Sequence, residues 1–311
     1  MKLVDLMRDR RISSKPPAEK AKKLAAPPVR GLSAADDSLL RAVYIYHFLT
    51  VEQATRLLFS RGSLVYVRSK LRSLAERGFL QRLRLPTSGQ GNTAHIYTLA
   101  HKGIRYLEAE GFSDFARFRP SEQQEHSYLF LRHTLRINDV LIAGALLGEL
   151  APDIVLAEVR HERTLKRTPV YVEVITGGKT ERIGVVPDGW MDFHLRDEER
   201  MSIVLELDRG TVEERAFKRK LRGLMTYANG PYQAFFGSEA ITIAFATTAG
   251  DVRLRRLRTW CEQTLAEEGL QEQAELLLLT SLPDGELDPH GLFLSPLWQQ
   301  PFASASVALL S

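Results

Sequence analysis

Residues 185–220 constrain the fold more than any other part of the chain. Two segments of alternating apolar and polar side chains, 185–195 and 201–207, flank a charged turn at 196–200, which is typical of a β-hairpin. A segment with the helical period follows directly. The order of two strands and then a helix favours a sheet with helices packed against it.

Three carboxylates are expected to converge on this hairpin. Side chains alternate along a strand, so Glu206 and Asp208 share one face about 7 Å apart, and Asp188 on the neighbouring segment could reach it. Such a cluster is costly to desolvate without a cation, and Mg²⁺ prefers oxygen ligands. These three residues are therefore candidate Mg²⁺ ligands. Alternatively, Glu206 and Asp208 form surface ion pairs with Arg209 and Lys218.

The helix after the hairpin offers a basic partner for these acids. Thr211 and Glu214 have the spacing of a capping box at its start. The residues expected on its buried stripe recur at the helical period: Phe217, Leu221, Leu224 and Ala228. Lys220 and Lys218 flank that stripe on opposite sides, and either could lean over the end of the strand.

Composition sets the class of protein. The 311 residues are enough for two domains with ordinary cores. The single cysteine, Cys261, cannot form an internal disulfide and indicates a reducing compartment. No apolar run approaches the roughly 20 residues of a membrane span, and arginines at 8, 10 and 11 exclude a secretory signal. We expect a cytoplasmic protein without a membrane segment.

The charge is distributed unevenly, although the net charge is only +4. Residues 1–35 carry nine Lys and Arg against three Asp and Glu, and residues 36–119 carry thirteen against seven, so the remainder is acidic. A basic front half indicates contact with nucleic acid. Residues 1–35 are expected to be a disordered basic leader, because they contain too few large apolar groups for a core. This leader would either be an arm that tracks along DNA or serve only to keep the protein soluble.

Residues 36–119 have the pattern of a winged helix-turn-helix domain. Helices are expected from a cap at Asp36 or Asp37, from a cap at Thr50, and from Gly62 or Ser63 to Glu76. Strands at 79–85 and 94–99 flank a Gly- and Ser-rich turn at 86–93, and a last helix covers 101–110. Three helices followed by a two-stranded ribbon form the layout of a winged helix.

The third helix of this domain is predicted to read double-stranded DNA. Its side opposite the apolar residues is polar and basic, and the following strand adds two arginines. The predicted DNA-binding residues are Tyr66, Arg68, Ser69, Lys70, Arg72, Ser73, Arg82 and Arg84. A winged helix that makes only protein contacts is the alternative.

Residues 120–286 are expected to form a mixed sheet flanked by helices. A long helix is predicted over 122–150, a strand over 154–159 and a hairpin over 170–186. Beyond the central stretch, strands at 240–247 and 276–280 flank a helix at 253–268. The last segment, 287–311, is expected to pack as an irregular strap. The whole chain is thus an α+β or α/β protein of two domains.

The motifs in this order resemble the replication-relaxation family, whose members are linked to plasmids and other mobile elements. The resemblance rests on Pro187-Asp188-Gly189, on residues 206–210, and on Lys220 with Tyr227. It implies DNA and other mobile-element or replication proteins as partners. The rear half also resembles the PD-(D/E)XK nuclease-like fold, in which two acids bind Mg²⁺ and a lysine helps to activate water.

That second resemblance assigns roles to particular residues. Asp188 and Glu206 match the two acids, but Asp208 occupies the position of the lysine. Catalysis would therefore need a relocated lysine, with Lys220 as the first candidate and Lys218 as the second. Two functions stay open: a DNA-binding accessory protein with a nuclease-like scaffold, and a Mg²⁺-dependent endonuclease directed by its own winged helix.

Overall fold

The structure is a computed structural model that describes residues 31–85, 94–112, 128–195, 199–237 and 240–310. The chain divides into two compact units, residues 1–138 and 139–311. The predicted leader, the predicted turn at 86–93 and the predicted domain boundary near residue 120 lie largely or wholly outside the described residues. Helices and strands alternate through both units, so the fold is mixed α and β, as predicted.

The first unit combines short helices with a small antiparallel sheet. Its elements in chain order are α1 (Ala34–Tyr46), β1 (Leu49–Thr50), α2 (Val51–Leu58), a 3₁₀ turn (Arg61–Ser63), α3 (Leu64–Glu76), β2 (Leu80–Leu85), β3 (Ala94–Leu99) and α4 (His101–Ala109). The sheet order is β1-β3-β2, and both pairings are antiparallel. The strand β1 between the first two helices was not predicted, because two residues are too few for a visible alternation.

Capping side chains determine where the first two helices begin. Thr50 caps α2 as predicted, in a reciprocal pair of hydrogen bonds with Gln53. The predicted cap of α1 at Asp36 or Asp37 was wrong, because the N-cap is Ser33 and Asp36 is the third helical residue. The carboxylate of Asp36 accepts a hydrogen bond from the Ser33 backbone N–H, and the Ser33 hydroxyl accepts one from the Asp36 N–H.

Helix α5 (Tyr128–Leu150) crosses the division between the units. In its first half, the buried amide of Asn138 donates to the carbonyls of Tyr46 and Phe48, at 3.0 and 2.6 Å. The amide of Gln53 donates to the carbonyl of Leu135 at 2.7 Å. These bonds satisfy backbone groups at the turn after α1 and attach the start of α5 to the first unit.

The second unit is built on a seven-stranded mixed sheet. Its elements in chain order are β4 (Val155–His161), α6 (Glu162–Leu165), β5 (Val170–Thr176), β6 (Lys179–Val185), β7 (Gly189–His194), β8 (Arg200–Asp208), α7 (Glu214–Ala228), α8 (Pro231–Phe236), β9 (Ile241–Thr247), α9 (Gly250–Glu268), a 3₁₀ segment (Gln271–Leu276), β10 (Leu277–Ser281), α10 (Pro289–Leu294), β11 (Trp298–Gln299) and β12 (Ser306–Val307). The strand order is β12-β11-β10-β9-β8-β7-β4. Strands β8, β9 and β10 run parallel, and the other pairs are antiparallel.

The predicted hairpin over residues 185–207 is the β7–β8 pair of this sheet, in which β7 lies next to the edge strand β4. Gly189 is opposite Leu205, and Trp190 is opposite Val204. The second predicted hairpin, β5–β6, forms a separate two-stranded sheet. Its apolar side packs on α7, where Gly223 lets the helix approach the side chain of Ile183.

Helices cover both faces of the large sheet. On one face, Phe217 of α7 contacts Phe245 of β9 and Trp260 of α9, with ring centroids 5.0 and 5.6 Å apart. On the other face, a side chain at Gly144 of α5 would collide with Met191 and the aromatic rings near it. Strand β8 is thus buried on both sides from Ser202 to Asp208, and the carboxyls of Glu206 and Asp208 lie in a low-dielectric layer.

The last segment differs from the predicted irregular strap. Residues 289–294 form α10, and the two-residue strands β11 and β12 extend the large sheet. The indole of Trp298 is fully buried and donates to the carbonyl of Leu292 at 2.7 Å. The segment is therefore part of the core of the second unit. Among the helices described here, none has the length and apolar character needed to cross a membrane.

Candidate functional site

A buried carboxylate on β8 forms the core of the candidate site. Glu206 lies near the carboxyl end of β8, where its side chain turns to the face covered by α7 and α9, as the alternation predicted. Lys220, two turns into α7, forms an ion pair with its Oε2. The glutamate is 3% exposed and the lysine 44% exposed. The pair thus joins a buried acid to a cation that reaches solvent.

The environment of Glu206 changes its protonation. Burial raises its pKa to about 8, and the nearby negative charge of Asp188 acts in the same direction, against the opposing charge of Lys220. Its buried Oε1 accepts no hydrogen bond from an N–H or hydroxyl group of the described residues, while a hydrogen bond between the carboxyls of Glu206 and Asp188 also raises the pKa of Glu206. The ion pair with Glu206 raises the pKa of Lys220, because the charge of Glu206 outweighs the effect of burial. The lysine therefore stays charged while the glutamate titrates near neutral pH.

Asp188 is the second acid at this position. It lies immediately before β7, where its backbone N–H donates to the carbonyl of Leu205 and its Oδ2 accepts from the N–H of Leu207 at 2.8 Å. These bonds hold it beside β8, and its carboxyl interacts with that of Glu206. The structure thus brings together three of the predicted site residues: Asp188, Glu206 and Lys220.

The fourth predicted site residue, Asp208, has a different partner. Its carboxylate accepts hydrogen bonds from Arg253 of α9, from the hydroxyl of Thr247 and from the backbone of Gly210. Burial alone would raise the pKa of Asp208, but these donors lower it. A carboxylate engaged in this way is a structural anchor, and its predicted place among the metal ligands is not supported by its contacts.

The alternative predicted for the acids was wrong. Neither Glu206 nor Asp208 is at the surface, because each lies on a strand covered on both faces. Lys218 pairs instead with Glu214 and Glu267, at 2.9 and 3.2 Å, on the far side of α7. It therefore drops out as the second candidate for the relocated lysine.

The predicted capping box before α7 was also wrong. The helix begins at Glu214 with Glu213 as its N-cap, and no side chain caps it. The preceding segment is held by Arg253, whose guanidinium donates to the carbonyl of Val212 at 2.6 Å. Gly210, with φ +83°, makes the turn between β8 and this segment.

The donor set fits a metal ion with two carboxylate ligands. In the described part of the chain, no group of three or more His, Cys, Asp or Glu has the geometry of a metal site. Mg²⁺ retains several waters and often uses only one or two protein carboxylates. The carboxyls of Glu206 and Asp188, which lie within hydrogen-bonding distance of each other, would provide such a pair of ligands.

A second candidate site is the basic surface of the first unit. Val67, Leu71 and Leu74 of α3 are buried, whereas Tyr66, Arg68, Ser69 and Arg72 are exposed and Ser73 is half-buried. Arg82 and Arg84 project from β2 and are also exposed. Apart from Ser73, these side chains are open to solvent, and their contact with DNA stays a prediction.

Lys70 is placed differently from the other predicted DNA-binding residues. Its ammonium lies 3.2 Å from Asp36 and donates to the hydroxyl of Ser33, at the start of α1. Burial would raise the pKa of Asp36, but the bonds from Ser33 and the charge of Lys70 outweigh it and lower the pKa. Lys70 thus stabilises the contact between α1 and α3 rather than adding to the exposed basic surface.

Two residues of β3 that the sequence reasoning missed lie between the arginines. Burial lowers the pKa of His95, and the charges of Arg82 and Arg84 lower it further. The phenol of Tyr97 is buried and interacts with Arg82. Its pKa is raised by burial, against the arginine charges. The antiparallel register, which places Arg82 opposite Tyr97 and Arg84 opposite His95, was the available signal.

The fold and the two sites define a mixed α/β protein with a basic surface on the first unit and, in the second, two buried acids joined to a solvent-reaching lysine. A family model described as replication-relaxation matches residues 40–238, more than half of the chain, so the chain belongs to the replication-relaxation family. This membership associates it with replication and mobile-element processes. A search of curated proteins and a search of solved structures each found no match.

Proposed function

We propose that this chain is a double-stranded-DNA-binding accessory protein of a plasmid or other mobile element. Its first unit would act as a winged helix, with α3 in the major groove. One observation carries the proposal: four exposed arginines of α3 and β2 lie around the same part of β3. The charges of Arg68 and Arg82 act on both His95 and Tyr97, that of Arg84 acts on His95, and that of Arg72 acts on Tyr97, so the four form one basic surface.

The arrangement of elements supports this docking. The order α1, β1, α2, α3, β2, β3 matches the winged-helix layout, in which the third helix reads bases and the ribbon contacts the backbone. An α-helix fits the major groove, and arginines can contact both guanine edges and phosphates. Of the α3 residues that the structure describes, Glu76 in the last turn is the only acidic one on the exposed side of the helix.

Titration of labelled duplexes at several salt concentrations tests the proposal. Binding through phosphates releases counterions, so affinity should fall steeply as salt rises. A selected duplex should bind more tightly than a scrambled one at every salt concentration. A chain that binds no duplex at low salt would leave the alternative of a winged helix used for protein contacts.

A second candidate function is a Mg²⁺-dependent endonuclease with a PD-(D/E)XK-like second unit. The observation that favours it is the grouping of Asp188, Glu206 and Lys220 where β7 begins and β8 ends. The order α5, β4, β7, β8, α7, β9, with β9 parallel to β8, agrees with the core that this fold would need. The β5–β6 hairpin is then an insertion.

In this candidate each residue has a defined role. Asp188 and Glu206 would hold the ion, and a bound Mg²⁺ would supply a polarised water and neutralise phosphate charge. Glu206 would lose its proton when the ion binds, because both compete for the same carboxylate. Lys220 would place a positive charge at the mouth of the site, where 44% of its side chain meets solvent. Asp208 would hold the strand end in position.

Nicking of supercoiled plasmid tests this candidate. The wild type should nick it with Mg²⁺, and Lys220→Ala should not. Lys218→Ala is the matched control, since it lies two residues away on the same helix and pairs with other acids. Equal nicking by wild type and Lys220→Ala would exclude the assigned role of the lysine. No nicking by the wild type would exclude the endonuclease and leave the DNA-binding protein.

A further inference from the structure

One apolar side chain stands out on the basic surface of the first unit. Val65, the second residue of α3, is 75% exposed, the highest value among the exposed large apolar side chains that the structure describes. Scattered apolar residues are common on protein surfaces. This one, however, lies in the first turn of the helix proposed to enter the major groove.

Helical geometry places Val65 in the middle of the exposed side. At about 100° per residue, the buried Val67, Leu71 and Leu74 point in one direction, and Val65, Ser69 and Arg72 point in nearly the opposite one. A helix that lays this side into a groove would present the isopropyl group of Val65 to the bases, in line with Ser69 and Arg72.

The neighbouring exposed aromatic has a local explanation that Val65 lacks. Tyr66 packs edge-on against Phe59, with ring centroids 5.9 Å apart, and the ammonium of Lys70 lies 5.7 Å from its ring. Tyr66 therefore contributes to the packing of α3 against Phe59, just after α2. Valine is a poorer helix former than alanine, so helix formation does not favour it at an exposed position either.

We propose that Val65 recognises the C5-methyl group of a thymine in the major groove. The inference rests on the proposed DNA binding and adds a specificity-determining residue to it. In that groove thymine presents a methyl group that neither cytosine nor uracil carries, and apolar side chains contact it. Val65 thus selects thymine by apolar burial, while Ser69 and Arg72 offer hydrogen bonds to neighbouring bases.

The spacing along α3 gives the proposal a second testable feature. Val65 and Arg72 are seven residues apart, or roughly 10 Å along the helix axis. Base pairs are stacked about 3.4 Å apart. A helix lying along the groove therefore places the thymine about three base pairs from the base that Arg72 contacts.

Replacement of thymine by deoxyuridine provides the test, because it removes only the methyl group. The probe is a short duplex that the full chain selects from a random pool, together with duplexes in which one thymine at a time is deoxyuridine. At one position, wild-type affinity should fall roughly three- to five-fold. Val65→Ala should lose a similar factor on the thymine duplex and nothing further on the deoxyuridine duplex.

Two controls separate this contact from general effects. Val65→Ala should keep or raise the melting temperature, because alanine is the better helix former. Val252→Ala truncates another highly exposed valine, on α9 of the second unit, and should leave the affinities for both duplexes unchanged.

The possible results distinguish loss of the thymine contact from loss of DNA binding itself. Two results would overturn the thymine contact and leave DNA binding in place. In the first, the affinity losses caused by Val65→Ala and by deoxyuridine are additive. In the second, no deoxyuridine substitution in the duplex changes the affinity. A wild-type chain that selects no duplex would overturn the proposed function and this inference with it.

Discussion

The guanidinium of Arg253 and the carboxylate of Asp208 form two parallel hydrogen bonds of 2.8 and 2.9 Å, with both side chains buried. The same guanidinium donates to the carbonyl of Val212. One side chain of α9 thus fixes the end of β8 and the segment that leads into α7. Since α7 carries Lys220, this contact also sets where that lysine meets Glu206.

Removal of the cation from this pair should be strongly destabilising. Arg253→Met leaves the charge of Asp208 buried without its partner, and we expect a loss of about 3–5 kcal/mol in the free energy of unfolding. Urea denaturation followed by circular dichroism measures it. Arg255→Met is the control on the same helix; Arg255 is exposed, so the change should stay within about 0.5 kcal/mol.

A double variant distinguishes a buried ion pair from simple loss of packing. Arg253→Met combined with Asp208→Leu removes both charges, so it should be more stable than Arg253→Met alone. If the double variant is the less stable of the two, the cost lies in packing, and the ion pair is not the cause.

The same pair illustrates what the sequence could predict. Alternation along residues 201–208 placed Glu206 and Asp208 on one face, and helical geometry left Lys220 and Lys218 as possible partners, of which Lys220 contacts Glu206. The partner of Asp208 could not be predicted, because Arg253 lies 45 residues away on a helix after the next strand. Local spacing carries no information about such a contact. For the same reason, local spacing predicted a capping box at Thr211, whereas in the structure the distant Arg253 holds that segment.

Helix starts were predictable only in part. Ahead of α2, Thr50 and Gln53 are the obvious capping pair, and their reciprocal hydrogen bonds are present. Ahead of α1, Ser33, Asp36 and Asp37 are all good capping residues, so local preference could not decide among them. The reciprocal bonds of Ser33 with Asp36, supported by Lys70, decide it in the folded protein.

The buried state of Glu206 predicts a pH dependence of stability. Its pKa rises from 4.5 in a solvated chain to about 8 in the fold, so the folded protein holds a proton that the unfolded chain releases. Its stabilising contribution is complete below pH 4.5 and is lost as the pH rises through 8. Across this window the loss is at most on the order of 5 kcal/mol.

Glu206→Gln isolates this contribution. The amide has nearly the same shape but does not titrate, so the stability difference between the variant and the wild type should grow in the variant's favour as the pH rises. Urea denaturation at several pH values between about 5 and 9 measures the difference. A constant difference across this range would mean that the carboxyl does not take up a proton on folding.

The basic surface predicts two kinds of loss in DNA binding. Arg72→Ala should cost about 1–3 kcal/mol for a selected duplex and much less for a scrambled one, because it removes a base contact. Arg84→Ala should weaken both duplexes alike and reduce the salt dependence by about one counterion, because it removes a phosphate contact. Gel-shift titrations at several salt concentrations measure both. Unchanged affinity of both variants would rule out this docking.

The two-carboxylate site predicts a metal response that depends on Glu206 and not on Asp208. An ion that binds only the folded chain stabilises it by mass action, by about 2.7 kcal/mol at a hundred times its Kd, so Mn²⁺ should raise the melting temperature of the wild type. The rise should be larger at pH about 9 than at pH about 6, because the ion competes with the proton on Glu206. Glu206→Gln should abolish it, whereas Asp208→Asn should melt lower but keep it, since Asp208 is bonded to Arg253. A folded Asp208→Asn variant that ignores Mn²⁺ would return Asp208 to the ligands, and an indifferent wild type would exclude the endonuclease.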